Sequence, residues 1–206
     1  VQTCALPIWA RSGLEISDRS FGSVPVTIYR LPGSAGPVVV IAHGFSGSRR
    51  MMEAFSLSLA RNGYTAVAFD FPGHGDNPTP MLAEIVELSG ATRQLMGSLE
   101  TVIDEALRLT QGDRPVALVG HSMATDIIVR QALRDGRVAT VIAVSMYSEA
   151  VTESVPDDLL VITGQFEPGR QWTGDWDPED EAVEETESPT VSYVPVDPCQ
   201  SVIMSI

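Results

Sequence analysis

The chain predicts an α/β protein, a mostly parallel sheet with helices on both faces. Short runs rich in Val, Ile and Ala recur at 37–42, 64–71, 115–119, 139–145 and 158–163. Their continuous apolar character is that of strands covered on both sides. Between them lie 51–61, 91–109 and 125–133, where apolar residues return every three to four positions, the period of an amphipathic helix. Strands alternating with helices build βαβ units and hence a parallel sheet. At 206 residues the chain is long enough for one such domain with a sizeable core.

Taken in order, 14–17 and 24–29 read as short strands joined through a turn at Gly22-Ser23. The strand 37–42 runs into His43-Gly44-Phe45-Ser46-Gly47-Ser48. Helix 51–61 sets Met52, Phe55 and Leu59 on one face and stops at Asn62-Gly63. The strand 64–71 ends in Asp70-Phe71-Pro72-Gly73-His74-Gly75. A short helix is expected over 82–88, then a longer one over 91–109 with Leu95, Leu99, Val102, Ala106 and Leu109 at helical spacing. Gln111-Gly112-Asp113 closes it before strand 115–119. Helix 125–133 and strands 139–145 and 158–163 follow, and 190–196 reads as a last strand that Pro195 assigns to a sheet edge. No internal repeat is evident.

The most informative stretch is Gly120-His121-Ser122-Met123-Ala124, entered by a strand and left by a helix. That context marks a candidate nucleophile elbow, a tight turn that holds a serine hydroxyl clear of the backbone. Strand and helix pass closely there, so the positions two before and two after the serine must be small. Gly120 meets the need fully, and Ala124 less so. A serine at a helix start also serves simply as an N-cap, the plainer reading of the same residue.

With this elbow, the turns after 37–42 and 64–71 resemble those of the α/β-hydrolase family. That family has an HG oxyanion loop after its third strand, a D-x-PGHG turn after its fourth and G-x-S-x-G/A after its fifth. The resemblance covers about residues 14–167, in order and spacing as well as in motif. It implies a nucleophile at Ser122 and oxyanion donors in the backbone N–H groups of Phe45 and Met123. Only the residues 146–157 separate the last two buried strands, which leaves no room for the helical lid insertion of many members.

A serine hydroxyl needs a base to take its proton, a carboxylate to orient that base, and donors for the oxyanion. The family carries its acid in a G-x-x-D turn after the seventh strand. Here Gly164-Gln165-Phe166-Glu167 places Glu167 where Asp is usual, with Glu149 as the second candidate. The family's histidine follows the acid, yet His43, His74 and His121 all precede it. Each stands in a motif, and His121 is expected to point away from its neighbour Ser122. Gln200, in the loop 197–200, occupies the expected place and cannot titrate. Three accounts stay open: an altered chain end, a chain that stops before the true histidine, or a protein that has lost catalysis.

Composition narrows the partners. All 13 basic residues are Arg against 27 acids, a net charge of −14, so no basic stripe is available to neutralise a nucleic acid. The acidity is local, because 171–206 holds nine acids and no base. No segment reaches the roughly 18 apolar residues of a membrane span. The two cysteines, Cys4 and Cys199, lie near the ends, which implies no disulfide framework and a cytoplasmic setting. Residues 1–8 read as a non-native tail similar to a translated sequencing adapter, and 9–170 as the hydrolase core. Residues 171–189 read as an acidic irregular segment, and 190–206 as a last strand with a truncated histidine-loop region.

The resemblance therefore implies a hydrolase of a carboxylic ester, thioester or amide acting through an acyl-Ser122, with a small-molecule substrate and no cofactor or metal. The alternative is a non-catalytic scaffold of the same fold that binds a small ligand or a partner. Epoxide or halide chemistry is disfavoured, because the family performs it with an Asp where Ser122 stands.

Overall fold

A β-hairpin opens the described part of the chain and one sheet receives nearly everything after it. The structure, a computed structural model, describes residues 8–82, 88–110, 114–145, 156, 158–164 and 190–196. Strands β1 (Glu15–Phe21) and β2 (Val24–Arg30) pair antiparallel through the turn at Gly22, whose φ is +59°. Then come β3 (Val38–Ala42), β4 (Thr65–Phe69), β5 (Val116–His121), β6 (Val138–Val144), β7 (Asp158–Gly164) and β8 (Thr190–Val196). The sheet order is β1-β2-β4-β3-β5-β6-β7-β8. β2 meets β4 antiparallel, and every pairing from β4 through β8 is parallel. The expected class, a mostly parallel sheet with helices on both faces, is the observed one.

The helices divide between the faces by the alternation of the strands. Val38 and Val40 face one side, with Val67, Phe69 and Leu118, and receive α2 (Leu88–Leu109) and α3 (Ala124–Ala132). Val39 and Ile41 face the other, with Ala66, Ala68 and Val119, and receive α1 (Glu53–Arg61). The apolar stripe read from the sequence is buried: Leu95, Leu99, Val102 and Ala106 lie in the core, with Leu109 packed at its margin. Met52 and Leu59 are buried likewise, with Phe55 partly covered.

Differences from the sequence reading lie at the element ends. The helix expected over 51–61 is a 3-10 turn, Arg49–Met52, followed by α1. α2 begins at Leu88, earlier than position 91. β1 extends beyond 14–17 to Phe21, because its whole length pairs with β2. The last strand spans Thr190–Val196 on the sheet edge, where Pro195 pairs with Thr163 of β7. A residue without an N–H is tolerated there. Residues 1–7, the short helix placed over 82–88 except its end residues, most of the 146–157 interval and the acidic segment 171–189 lie outside the described residues.

Gly97 sits inside α2, and a Cβ built on it would meet nothing within 4 Å. Glycine inside a helix costs about 1 kcal/mol relative to alanine. Leu99, Val102 and Ile103, all fully buried, outweigh that at about 1.5–3 kcal/mol each. Gly97→Ala is expected to raise unfolding stability by about 0.5–1 kcal/mol in urea titration. An unchanged or lowered midpoint would show that the position needs glycine.

Candidate functional site

Left-handed backbone among non-glycine residues occurs, in the described chain, at Ser46 (φ +59°), Ser122 (φ +51°) and Ser145 (φ +51°). These follow the carboxyl ends of β3, β5 and β6, the edge where parallel sheets bind ligands. An L-residue in this conformation costs roughly 1–2 kcal/mol, so the surrounding bonds must hold it. At Ser122 the N–H donates to the Val144 carbonyl at 2.9 Å. Its own carbonyl accepts from the Thr125 N–H at 2.9 Å and the Thr125 hydroxyl at 2.6 Å.

The small residues flanking Ser122 are needed where they stand. A Cβ on Gly120 would lie 2.7 Å from Ile128 Cδ1 and 3.0 Å from the Ala124 carbonyl oxygen. Ala124 is fully buried, so its methyl, where the family pattern has glycine, packs in the core. The N-cap of α3 is Met123, with no side-chain cap bond. No bond from a first-turn N–H to the Ser122 hydroxyl is seen among the described residues, and the Thr125 N–H is taken by the Ser122 carbonyl.

The His43–Ser48 loop lies directly against this turn. A Cβ on Gly44 would sit 3.1 Å from Ser122 Cβ and 2.8 Å from His121 Nδ1, so only glycine permits the approach. Phe45 follows it, 68% exposed. Among the described residues, neither the Phe45 nor the Met123 amide donates to a protein acceptor. Met123 thus follows Ser122 in sequence, and Gly44, the residue before Phe45, packs against it in space.

His43 is fully buried and both its nitrogens are occupied. The Phe71 N–H donates to Nε2 at 3.1 Å, and Nδ1 donates to the Gly44 carbonyl at 2.8 Å. This fixes a neutral ring with its proton on Nδ1. Burial pushes its pKa below the ordinary value, against a smaller upward pull from the Gly44 carbonyl, with His74 and His121 lowering it and Asp70 raising it. His74 is half-buried, donates from Nδ1 to the Pro72 carbonyl at 2.9 Å, and packs its ring 5.7 Å from Phe45 and 5.2 Å from His43.

One participant carried no sequence signal. Arg49 is buried and its guanidinium is ion-paired with the fully buried Asp70, whose carboxylate also accepts the Arg49 N–H at 2.7 Å. An Arg in the stretch Ser46-Gly-Ser-Arg-Arg50 reads as a solvated surface residue, and nothing in the sequence pairs it with Asp70. Glu167, Glu149 and Gln200 lie outside the described residues. Among the described residues no cluster of three or more His, Cys, Asp or Glu could hold a metal ion, and no helix is long and apolar enough to cross a membrane. A cavity of about 340 Å3 opens between the β1–β2 turn, residues 72–79 and α2, and Ser122, Phe45 and Met123 do not line it.

A parallel sheet with a left-handed serine between strand and helix, and a glycine loop against it, defines the α/β-hydrolase class. The chain belongs to this family, since the model described as alpha/beta hydrolase fold matches residues 37–183. It is 30% identical over 129 residues to the quorum-quenching protein AidA of Acinetobacter baumannii, a match covering 59% of this chain and 39% of that protein. A solved epoxide hydrolase of Vigna radiata has TM-score 0.51 and 24% identity, over 66% of this chain and 41% of that one. The Thermus thermophilus protein TT1662 has TM-score 0.57 and 18% identity, over 73% and 75% of the two chains. These structural likenesses show the fold. The chain spans well under half the length of the curated relative and of the epoxide hydrolase.

The His43 environment has a consequence for pH. The unfolded ring titrates near its ordinary value of about 6.5, and the folded one lower. Stability from the neutral ring is therefore complete above about pH 6.5 and is lost as pH falls through the folded value. The melting temperature is expected to drop between pH 7.5 and 5, and to drop less in His43→Asn. Equal slopes in the two proteins would show that this ring does not contribute.

Proposed function

We propose that this chain carries the nucleophile and oxyanion half of a serine hydrolase acting on a carboxylic ester, thioester or amide of a small molecule. Ser122 attacks the carbonyl and forms the acyl-enzyme, and the amides of Phe45 and Met123 receive the oxyanion. Glu167 is the orienting acid, and the place of the family's histidine after the last strand is taken by Gln200, which cannot act as a base. The observation that carries this reading is a serine in left-handed conformation, with Met123 next in sequence and Gly44, the residue before Phe45, packed against it. One such donor contributes roughly 100- to 1,000-fold in turnover. The likeness to a quorum-quenching protein supports a small-molecule substrate. The solved neighbours named as epoxide hydrolases share the fold, and the serine at the nucleophile position supports acyl transfer here. The stretch between Cys4 and Cys199 has no thiol, which supports a reducing, cytoplasmic setting.

A second reading, a non-catalytic scaffold, is favoured by one observation: His43, His74 and His121 all precede the acid in sequence, and His43 has no free nitrogen. The two readings separate on one residue. The unmodified chain is expected to hydrolyse a short-chain p-nitrophenyl ester poorly, keeping only the roughly 1,000- to 10,000-fold advantage over water that oxyanion hole and binding supply. Gln200→His is expected to raise the rate by orders of magnitude, and adding Ser122→Ala to abolish the gain. No gain would favour the scaffold, and full activity in the unmodified chain would reassign the base to His74.

A further inference from the structure

We propose that His43 is a positioning residue that aims the Phe45 N–H. This rests on the reading of Phe45 as an oxyanion donor. The Gly44 carbonyl accepts two bonds, from His43 Nδ1 at 2.8 Å and from the Gly47 N–H at 3.0 Å. That carbonyl and the Phe45 N–H belong to one planar trans peptide, so they point in opposite directions. Two donors pulling the oxygen into the loop therefore turn the N–H outward, on the residue that follows the close approach of Gly44 to Ser122 Cβ. A peptide flip would strand the His43 and Gly47 donors and place an oxygen where the oxyanion must be received.

The ring can do this only in one form. Its Nε2 accepts from the Phe71 N–H at 3.1 Å, so the proton is confined to Nδ1 and the donor always faces Gly44. Phe71, edge-on at a centroid distance of 5.3 Å, and the tilted ring of His74 at 5.2 Å hold its plane. The titratable groups acting on it are His74, Asp70 and His121. Protonation of Nε2 would set two donors against each other at Phe71 and loosen the ring, so the aim of the Phe45 amide holds only while His43 is neutral.

Two substitutions separate this role from plain core packing. The Asn side chain carries an amide NH2 near the place of Nδ1, and the Gln side chain carries its polar atoms near the place of Nε2. His43→Asn thus keeps the donor to Gly44, whereas His43→Gln keeps the anchor to Phe71. Labelling of Ser122 by a p-nitrophenyl alkylphosphonate on the full chain, followed by intact mass, is expected within about tenfold of native in His43→Asn. It is expected to slow by about 100-fold in His43→Gln, the scale of a lost oxyanion donor. The 15N–1H resonance of Phe45 should stay native-like in the first and shift in the second. Equal labelling rates in both variants, tracking their melting temperatures, would overturn the proposal. If the native chain resists labelling, the comparison is made in the Gln200→His background; resistance there too makes the acyl-enzyme reading fail, and the Phe45 resonance alone decides the positioning role. Should neither variant fold, Gly47→Ala brings a Cβ to 2.9 Å from the Gly44 oxygen and 3.3 Å from His43 Nδ1, crowding the bond between them while the imidazole is kept. It should shift the Phe45 resonance and slow labelling, and an unmoved resonance would overturn the proposal.

Discussion

The buried ion pair between Arg49 and Asp70 ties together the two loops on which the candidate site depends. Asp70 leaves β4 with no solvent exposure, and its carboxylate accepts the guanidinium, the Arg49 N–H at 2.7 Å and the Asp76 N–H at 2.9 Å. The guanidinium goes on to Thr27 Oγ1 at 3.0 Å and to Asp76 at 2.9 Å. Burying two charges costs several kcal/mol per ion unless their bonding capacity is filled, and here it is filled from β2, from the loop after β3 and from the turn after β4. Removing one partner would leave a buried charge unpaired, at about 3–5 kcal/mol. The pair is thus better understood as a clamp that fixes the spacing of two loops than as a source of net stability.

The glycines of the turn follow from that clamp. A Cβ on Gly75, at φ +53°, would lie 2.3 Å from the Asp70 carboxylate, and one on Gly73, at φ +75°, 2.7 Å from Met81 Cβ. The turn therefore wraps the aspartate with backbone, and any side chain at Gly75 would occupy the place of a carboxylate oxygen. His43 adds a second tie between the same loops, since its ring spans from the Gly44 carbonyl to the Phe71 N–H. With both loops pinned, Gly44 is held against Ser122 and the strained backbone of Ser46 and Ser122 has no cheaper conformation to relax into.

Much of this was legible in the sequence because its signals are local. A buried β-branched run, a Gly-x-Ser-x-Ala turn and a Pro in an edge strand each reflect constraints within a few residues, and β3, the turn at Ser122 and β8 lie where those signals place them. The start of α2 at Leu88 and the 3-10 turn at Arg49–Met52 were not. The latter is set by the pull of Asp70 on the Arg49 backbone, a contact across 21 positions that no local pattern encodes. The same long-range character hid Arg49 itself. The acid and the base are illegible for another reason: Glu149, Glu167 and Gln200 follow β6, β7 and β8 in turn, and no local pattern says which of them meets Ser122.

The hydrogen bonds of the histidines bear on where a base would come from. A catalytic imidazole offers one nitrogen to the serine and gives the proton of the other to a carboxylate, which stabilises the ring once it is charged. His43 has neither nitrogen to offer, and using it would dismantle the loop it holds. His74 has half the requirement, because its Nδ1 proton is bonded, but to the Pro72 carbonyl. A carbonyl orients the ring without supplying the negative charge that an imidazolium calls for. Motif order and hydrogen bonding are independent lines of argument, and both count against His43 and His74 as the base. The shape of the loops around Ser122 does not wait on that answer, since their ties run among β2, β3, β4 and the turn at Ser122, which is bonded to Val144 of β6.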